Sequence, residues 1–172
     1  AAVAAFLVLR VRARLGQVHA YVFDFPTADA HYAEAERLAA TLVKADPDNT
    51  TWRRDRVMGV VNRGDMRSRM MDYAGAEQLL REAIRELDAL AKADPDNSAA
   101  KRDLAVGHSL LGVALSGAGR HSEGRDALAR SLVLREENTY LFKLGKDNKA
   151  ERIAVEIGAK DGAMVEVLGM LK

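Results

Sequence analysis

The sequence feature that most constrains the fold is an internal repeat with a period of 48 residues. The segment KADPDN occurs at Lys44–Asn49 and again at Lys92–Asn97. The same shift superimposes three glycines, Gly16, Gly64 and Gly112, without a gap. A repeat of this length is one supersecondary unit that buries its apolar face against its neighbours. The chain is therefore expected to form an array of about three units.

Side chains of constant size recur at other positions of the repeat. Two small sets and one bulky set follow the same shift: Ala28, Ala76 and Gly124; Ala35, Ala83 and Ser131; Tyr32, Leu80 and Leu128. Small residues allow two helices to approach closely, because a larger side chain would push the backbones apart. The sets predict two packed helices in each unit.

Apolar residues within a unit recur at helical spacing. In the second unit, Leu80, Ala83, Leu87 and Leu90 follow one another at intervals of three and four, the pattern of an amphipathic helix. Each unit is expected to be an antiparallel pair of helices of roughly 20 residues. The turns inside the units are predicted at Asp24–Thr27, Asp72–Gly75 and Gly119–Ser122. The predicted units cover about residues 1–48, 49–96 and 97–137.

The segment KADPDN has two interpretations, an acidic metal loop or a turn between helices. Asp46, Asp48 and Asn49 offer oxygen ligands, but no central glycine and no closing glutamate follow, as a calcium loop requires. Pro47 removes a backbone donor and disfavours helix at the residue before it. Asn49 or Thr50 then provides a cap for the next helix. The turn is favoured, and the second copy is interpreted in the same way.

The composition excludes several classes of function. Basic residues number 26 against 25 acidic residues, so no overall field favours nucleic acid or an anionic membrane. The absence of cysteine excludes disulfides, thiolate zinc sites and cysteine nucleophiles. No histidine pair has ligand spacing, and no glycine-rich phosphate loop occurs. No catalytic residue, metal ligand or cofactor is predicted, and the chain is expected not to be an enzyme.

Arginines are dense between Thr51 and Arg69. They scatter around a helix, Asp55 and Asp65 interrupt them, and Trp52 is the only aromatic residue available to stack on a base. Solvent-facing ion pairs are therefore favoured over nucleic-acid binding. Binding of an anionic peptide stays open, because arginine forks recognise carboxylates.

The first residues, Ala1 to Leu9, form an apolar run that is too short to span a bilayer. We interpret this run as the start of the first helix of a soluble domain from a longer gene. The alternative is the end of a truncated membrane helix or signal sequence. No complete transmembrane span is predicted.

The spacing of small residues resembles the tetratricopeptide signature. Gly16 is followed 12 residues later by Ala28 and after 7 more by Ala35, with the bulky Tyr32 between the two alanines. The period of 48 exceeds the usual 34 of that family, and lengthened helices account for the difference. The phrases ADPDN…RRD and ADPDN…KRDLAV…LLG further resemble the long repeats found beside bacterial serine/threonine kinase domains. The resemblance covers about residues 1–137 and implies a mainly α fold, an α-solenoid of three antiparallel helical hairpins.

In tetratricopeptide arrays the first helix of each unit lines a concave groove that binds peptides. By that analogy the groove positions include Ala13, Val61, Val106 and Ser116, and the candidate partner-binding residues are Arg10, Gln17, Tyr21, Met58, Asn62, Asp65, Arg69, Ser109 and Val113. Apolar members would supply area, and Arg10, Asp65 and Arg69 would supply selectivity. The chaperone-binding members clamp a terminal carboxylate with lysine and asparagine, of which only Asn62 has a match, so chaperone-tail binding is not predicted.

After Glu137 the repeat register is lost and the pattern changes from helix to strand. The segments TYLFKL, AERIAVEIG and AMVEVLGMLK are separated by turn residues and predict a three-stranded antiparallel meander, a small β appendage over residues 138–172. A short helix is the alternative for the third segment. The order VEIG, DG, VEVL-GMLK resembles the membrane-proximal β segment of periplasmic efflux adaptors of the membrane fusion protein family. Unpaired strand edges make self-association through this tail a further expectation.

These features favour a non-catalytic protein-interaction scaffold in a bacterial signalling or envelope assembly, which binds a protein or peptide partner and no nucleic acid. One alternative is a structural component of an efflux or secretion assembly that docks through the β tail. Another is a regulatory repeat segment of a serine/threonine kinase whose catalytic domain lies outside this chain. The sequence leaves the compartment open between the bacterial cytoplasm and a periplasmic or membrane-associated location in a longer protein.

Overall fold

The computed structural model describes the backbone of residues 2–134, 140–144, 150–154, 156–161 and 164–168, and the side chains of residues 2–132. The fold is mainly helical, as predicted. The described residues form six helices: α1 Ala2–Tyr21, α2 Phe25–Ala45, α3 Thr50–Arg69, α4 Tyr73–Ala93, α5 Ser98–Gly117 and α6 His121–Leu134. Each of the three predicted units of the helical region therefore contains two helices.

Each helix packs against the next one along the chain. The connections are only three or four residues long, so a helix of about 20 residues has to fold back along its predecessor. The first helices of the second and third units, α3 and α5, also touch each other. Neighbours in sequence are thus neighbours in space, which is the contact pattern expected for a helical repeat.

The turn inside each unit lies slightly earlier than predicted. α2 already begins at Phe25, and Pro26 lies in its first turn, where a missing backbone N–H leaves no hydrogen bond unmade. The residues that reverse the chain are Phe23, Met71 and Gly119, which have left-handed backbone angles and are 48 residues apart. Local sequence placed the first two turns too late because Pro26 and Gly75, which are typical turn residues, lie in the first turn of the following helix.

The segment KADPDN is a turn between helices, as predicted. α2 ends at Ala45, and the side-chain oxygen of Asn49 accepts a hydrogen bond of 3.1 Å from the backbone N–H of Trp52. In the second copy, Asn97 accepts from the N–H of Ala100 at 3.1 Å. The asparagine, and not the hydroxyl residue that follows it, is therefore the cap in both copies.

The repeated glycines give room to the repeated bulky residues. A Cβ placed on Gly64 would lie 2.6 Å from Cγ of Leu80, and one on Gly112 would lie 2.6 Å from Cγ of Leu128. Gly16 has the same relation to the ring of Tyr32. Glycine at this position allows the two helices of each unit to pack closely, as the sequence predicted.

The apolar core runs along the array of helices. Its largest part joins α3, α4 and α5 through the fully buried Val61, Leu80 and Leu87. A smaller part lies between α1 and α2 around Leu9 and Ala39. Among the described helices, none combines the length and the apolar character that a membrane crossing requires.

The described residues after α6 form four short strands: β1 Tyr140–Leu144, β2 Ala150–Ala154, β3 Glu156–Asp161 and β4 Met164–Leu168. β1 pairs with β2 and β3 pairs with β4, both antiparallel. The prediction of one three-stranded meander differs from this pairing, because the segment AERIAVEIG contributes to two strands with different partners. Strict alternation continues through the whole segment, so it carries no signal for a change of partner.

Candidate functional site

The structure brings four of the predicted groove residues, Arg10, Ala13, Gln17 and Asn62, together between α1 and α3. They line an open pocket of about 240 Å³, whose lining residues are Arg10, Ala13, Arg14, Gln17, Tyr32 and Asn62. Four of these side chains come from α1, at spacings of three and four that place them on one side of that helix. We call this site the α1–α3 pocket.

The α1–α3 pocket is cationic and polar. Arg10 and Arg14 contribute two guanidinium groups, and Gln17 and Asn62 contribute amides, while no carboxylate is among the lining residues. Arg14 donates a hydrogen bond of 2.9 Å to the side-chain oxygen of Gln17, which holds its guanidinium beside the pocket. Guanidinium and amide donors together suit an anionic or carbonyl-bearing group.

The side chain of Tyr32, which belongs to α2, reaches the pocket between α1 and α3. Its side chain is almost fully buried against Gly16, and burial raises the pKa of its hydroxyl, with the negative charge of Asp65 adding to the effect. The hydroxyl of Tyr32 is therefore protonated and neutral at physiological pH. Its ring gives the pocket an uncharged aromatic surface. The sequence identified Tyr32 as a packing residue, and no local pattern indicated that it also faces a pocket.

Arg10 has an acidic neighbour outside the lining set. Its guanidinium lies 3.6 Å from Asp55 of α3, and more than half of the Arg10 side chain is exposed. Burial raises the pKa of Asp55, which Arg10 and Arg54 partly oppose, and Oδ2 of Asp55 has no hydrogen-bond partner among the described residues. The Arg10 side chain thus stays more than half exposed at the pocket although it pairs with Asp55.

Two other predicted residues bind each other. Arg69 donates from Nε to both carboxylate oxygens of Asp65 at 3.0 and 3.1 Å, and its guanidinium lies 5.7 Å from the ring centre of Phe25. This pair occupies the end of α3, outside the α1–α3 pocket. Because Arg69 is already paired with Asp65, it is less available to a partner than its charge alone suggested.

The remaining predicted groove residues are dispersed. Tyr21 is highly exposed at the end of α1, and Val113 is exposed on α5, whereas Ser109 is half-buried. Met58 packs against the core, and Val61 is completely buried in it. The assignment of Val61 to an open groove is wrong, because that side of α3 faces other helices.

The arginines of α3 form ion pairs between helices in addition to those within α3. Arg63 binds Asp29 and Glu36 of α2, and Arg54 binds Asp103 of α5 through two N–H groups. The sequence favoured solvent-facing ion pairs, and the structure shows that several of these pairs connect one helix to another. Their carboxylate partners leave these arginines less available for nucleic acid than their number suggests.

The histidines do not form a metal site within the described region. His19 and His31 are stacked obliquely with ring centres 5.2 Å apart, but His19 binds Asp24 at 3.1 Å and His31 lies 3.3 Å from Arg12. In the residues that the structure describes, no three histidine or carboxylate side chains are arranged to hold a metal ion.

The comparisons with known proteins add no family assignment. No protein-family model matches this chain, and no curated protein matches it with significance. The geometry of the α1–α3 pocket is therefore the main basis for a functional proposal.

Proposed function

We propose that this chain is a non-catalytic scaffold that binds a protein or peptide partner across the first helices of its repeat units. The helical region would be a tetratricopeptide-like solenoid, and residues 138–172 would form a β appendage to it. The observation that carries the proposal is the α1–α3 pocket, which is open, polar and cationic, and which lies where the repeat resemblance implies a peptide groove.

The chemistry of the pocket favours an acidic partner segment. Among the described residues, the exposed guanidinium of Arg14 binds only the neutral Gln17, so a carboxylate can replace water there without separating an ion pair within this region. The amide of Asn62 faces the same space from α3. A chain that crosses from α1 to α3 would contact both helices at once. Bacterial signalling and envelope assemblies remain the proposed setting, on the resemblance of the repeats.

The test is an array of acidic hexapeptides and their matched amides, in which Asp and Glu are replaced by Asn and Gln. The full chain is expected to bind acidic members, and Arg14→Gln is expected to weaken this binding at least about tenfold, since one charge-assisted hydrogen bond contributes about 1.5–3 kcal/mol. Arg37→Gln is the matched control, because Arg37 is an exposed arginine of α2 outside the pocket. Equal binding of acidic and amide peptides would contradict the proposal.

The strands support the second candidate, an efflux or secretion component that docks through its β tail. β1–β2 and β3–β4 are separate two-stranded sheets, and such pairs are marginal in water without a further partner. Deletion of residues 139–172 separates the two functions. Peptide binding that survives the deletion supports the helical scaffold, while loss of all partner binding supports docking through the tail.

A further inference from the structure

An apolar stripe runs along α1 on the side that no other described helix covers. Its members follow one another at spacings of four, four, four and three: Val3, Leu7, Val11, Leu15 and Val18. Their exposed fractions range from 38% to 74%, in a helix whose opposite side is packed on α2. We call this set the α1 stripe. A contiguous apolar surface of this kind is unusual for exposed residues and marks an interaction site.

The repeat shows what covers this face in the later units. Val11 corresponds to Gly59 of α3 and to Gly107 of α5. Cβ atoms at these glycines would lie 3.0 Å from Glu36 of α2 and 3.1 Å from Ile84 of α4. In both units, therefore, the second helix of the preceding unit packs directly on this position.

Other members of the α1 stripe correspond to residues that, in the second unit, contact the preceding unit. Leu15 corresponds to Arg63, which binds Asp29 of α2. Leu7 corresponds to Asp55, which pairs with an arginine of the preceding first helix. The stripe is thus the face that each unit turns toward the unit before it. In α1 the charged residues of that face are replaced by aliphatic ones.

We propose that the α1 stripe is a docking face for an amphipathic α-helix of a second protein, seated as α2 sits on α3. Val11 stands where the later units have glycine, so its side chain fills space that Gly59 and Gly107 leave to the packed helix. The docked helix therefore has a small residue opposite Val11. Arg10, Arg12 and Arg14 flank the stripe, and Ala2–Tyr21 contains no acidic residue. The docked helix therefore carries carboxylates beside its apolar face.

Charge argues against a second copy of this chain as the occupant. Two α1 stripes facing each other would bring their arginines together, with no carboxylate on either helix to compensate. The exposed side of α6 carries Arg125 at the repeat position of Asp29 and Glu77, which bind arginines of the following unit. Stacking α6 of one copy on α1 of another would thus place a cation where the array uses an anion. An anionic lipid surface also suits a basic amphipathic helix, but the later units cover this face with a helix.

The experiment uses two labelled peptides with the sequence of α4, Tyr73–Ala93, an amphipathic helix with four acidic and three basic residues. One peptide has the natural Ile84 and the other carries Ile84→Ala, which supplies the small residue opposite Val11. Fluorescence anisotropy with the full chain is expected to show tighter binding of the Ile84→Ala peptide. Val11→Gly in the chain is expected to reverse this preference, because it restores the space found at Gly59 and Gly107.

Val11→Asp is expected to weaken binding of the Ile84→Ala peptide at least about tenfold, because the docked helix would bury the new carboxylate. The matched control is Leu132→Asp on α6, because Leu132 is 59% exposed and Val11 is 58% exposed. Circular dichroism and thermal melting verify that each variant is folded. This control is expected to leave binding unchanged.

Three outcomes would overturn the proposal. The first is the absence of binding by the Ile84→Ala peptide, or equal binding to the wild-type chain and to Val11→Asp. The second is cosedimentation with phosphatidylglycerol vesicles that Val11→Asp abolishes, without peptide binding, which would assign the stripe to a lipid surface. The third is self-association in sedimentation equilibrium that Val11→Asp abolishes, which would assign the stripe to a second copy.

Discussion

At the scale of single residues, the same backbone angle recurs at one position of every unit. Phe23, Met71 and Gly119 have φ values of 63°, 63° and 80°. In each unit the residue after this one donates its N–H to a carbonyl five residues earlier, which closes the first helix. A left-handed conformation costs a residue with a side chain about 1 kcal/mol. The first two units therefore form this turn at that cost, whereas the third unit has glycine at this position and avoids it.

Met71→Gly is expected to raise the free energy of unfolding by about 0.5–1 kcal/mol, and Gly119→Ala to lower it by about 1 kcal/mol. Met71 is 74% exposed, and a Cβ at Gly119 would meet nothing within 4 Å, so both changes act through the backbone alone. Urea denaturation measures both. A loss of stability in Met71→Gly, or none in Gly119→Ala, would contradict this account.

Some of these single-residue features could be predicted and others could not. The packing role of Gly64 followed from its recurrence and from the bulky residue 16 positions later, and the contact with Leu80 confirms it. The left-handed position had no signal in the first two units, because Phe23 and Met71 are not residues typical of that conformation. The period of 48 residues aligns them with Gly119, but only the backbone angles show that all three share this conformation.

At the scale of helices and strands, the chain determines its own helix ends. Asp24 and Asp72 cap the second helices through the N–H groups of Thr27 and Gly75, and asparagines cap the first helices of the second and third units. These caps act within four residues of sequence, so they are fixed by local chemistry. This locality is the reason why the interpretation of KADPDN as a turn was correct.

Asn49→Ala and Asn97→Ala are each expected to lower the free energy of unfolding by about 1 kcal/mol, because each removes one cap hydrogen bond. The two caps lie in different turns and share no partner, so the double variant should lose about the sum. Asp48→Ala is the control, since Asp48 is an exposed residue of the same turn. Thermal melts with and without Ca²⁺ complete the test, and stabilisation by Ca²⁺ would support the metal loop instead.

The strands show the limit of local patterns. Residues 150–154 and 156–161 belong to one alternating segment, yet the first pairs with β1 and the second with β4. The pairing of a strand depends on residues elsewhere in the chain, and alternation reports only which residues share a face. The sequence therefore predicted strands in this region but did not predict how they are divided between two sheets.

At the scale of the whole molecule, ion pairs join each unit to the next. Asp29 of the first unit binds Arg63 and Arg67 of the second, and Glu77 of the second binds Arg120 of the third. The acidic residue comes from the same repeat position in both cases. Partly buried pairs of this type add directional contacts to a nearest-neighbour array.

Two histidines are expected to make the stability of the array depend on pH. Burial lowers the pKa of His31, with Arg12 and His19 adding to the effect and Asp24 opposing it. Burial also lowers the pKa of His108, with Arg130 adding to the effect and Asp88 opposing it. The unfolded chain then binds more protons than the folded chain just below the ordinary histidine pKa of about 6.5. The histidine contribution is complete above that pH and is lost as the pH falls through the lowered folded-state values.

The free energy of unfolding is therefore expected to fall between pH 7.5 and pH 5.5, and less steeply in the double variant His31→Gln/His108→Gln. Urea denaturation at several pH values gives both slopes. The exposed His121, changed to glutamine, is the control. A wild-type slope that the double variant retains in full would show that other groups cause the pH dependence.

The sequence by itself determined the period, the helical content and the helix ends at the two KADPDN turns, because these depend on residue size, turn chemistry and contacts within a few residues. Only the tertiary structure decided which polar groups meet. It placed Arg14 and Tyr32 in the α1–α3 pocket, paired Arg69 with Asp65 and buried Val61. A repeat pattern assigns each residue a position in its unit, but its partners come from helices of other units. The exposure of the α1 stripe also depends on the tertiary structure, because the stripe occupies the same repeat positions as the covered faces of α3 and α5.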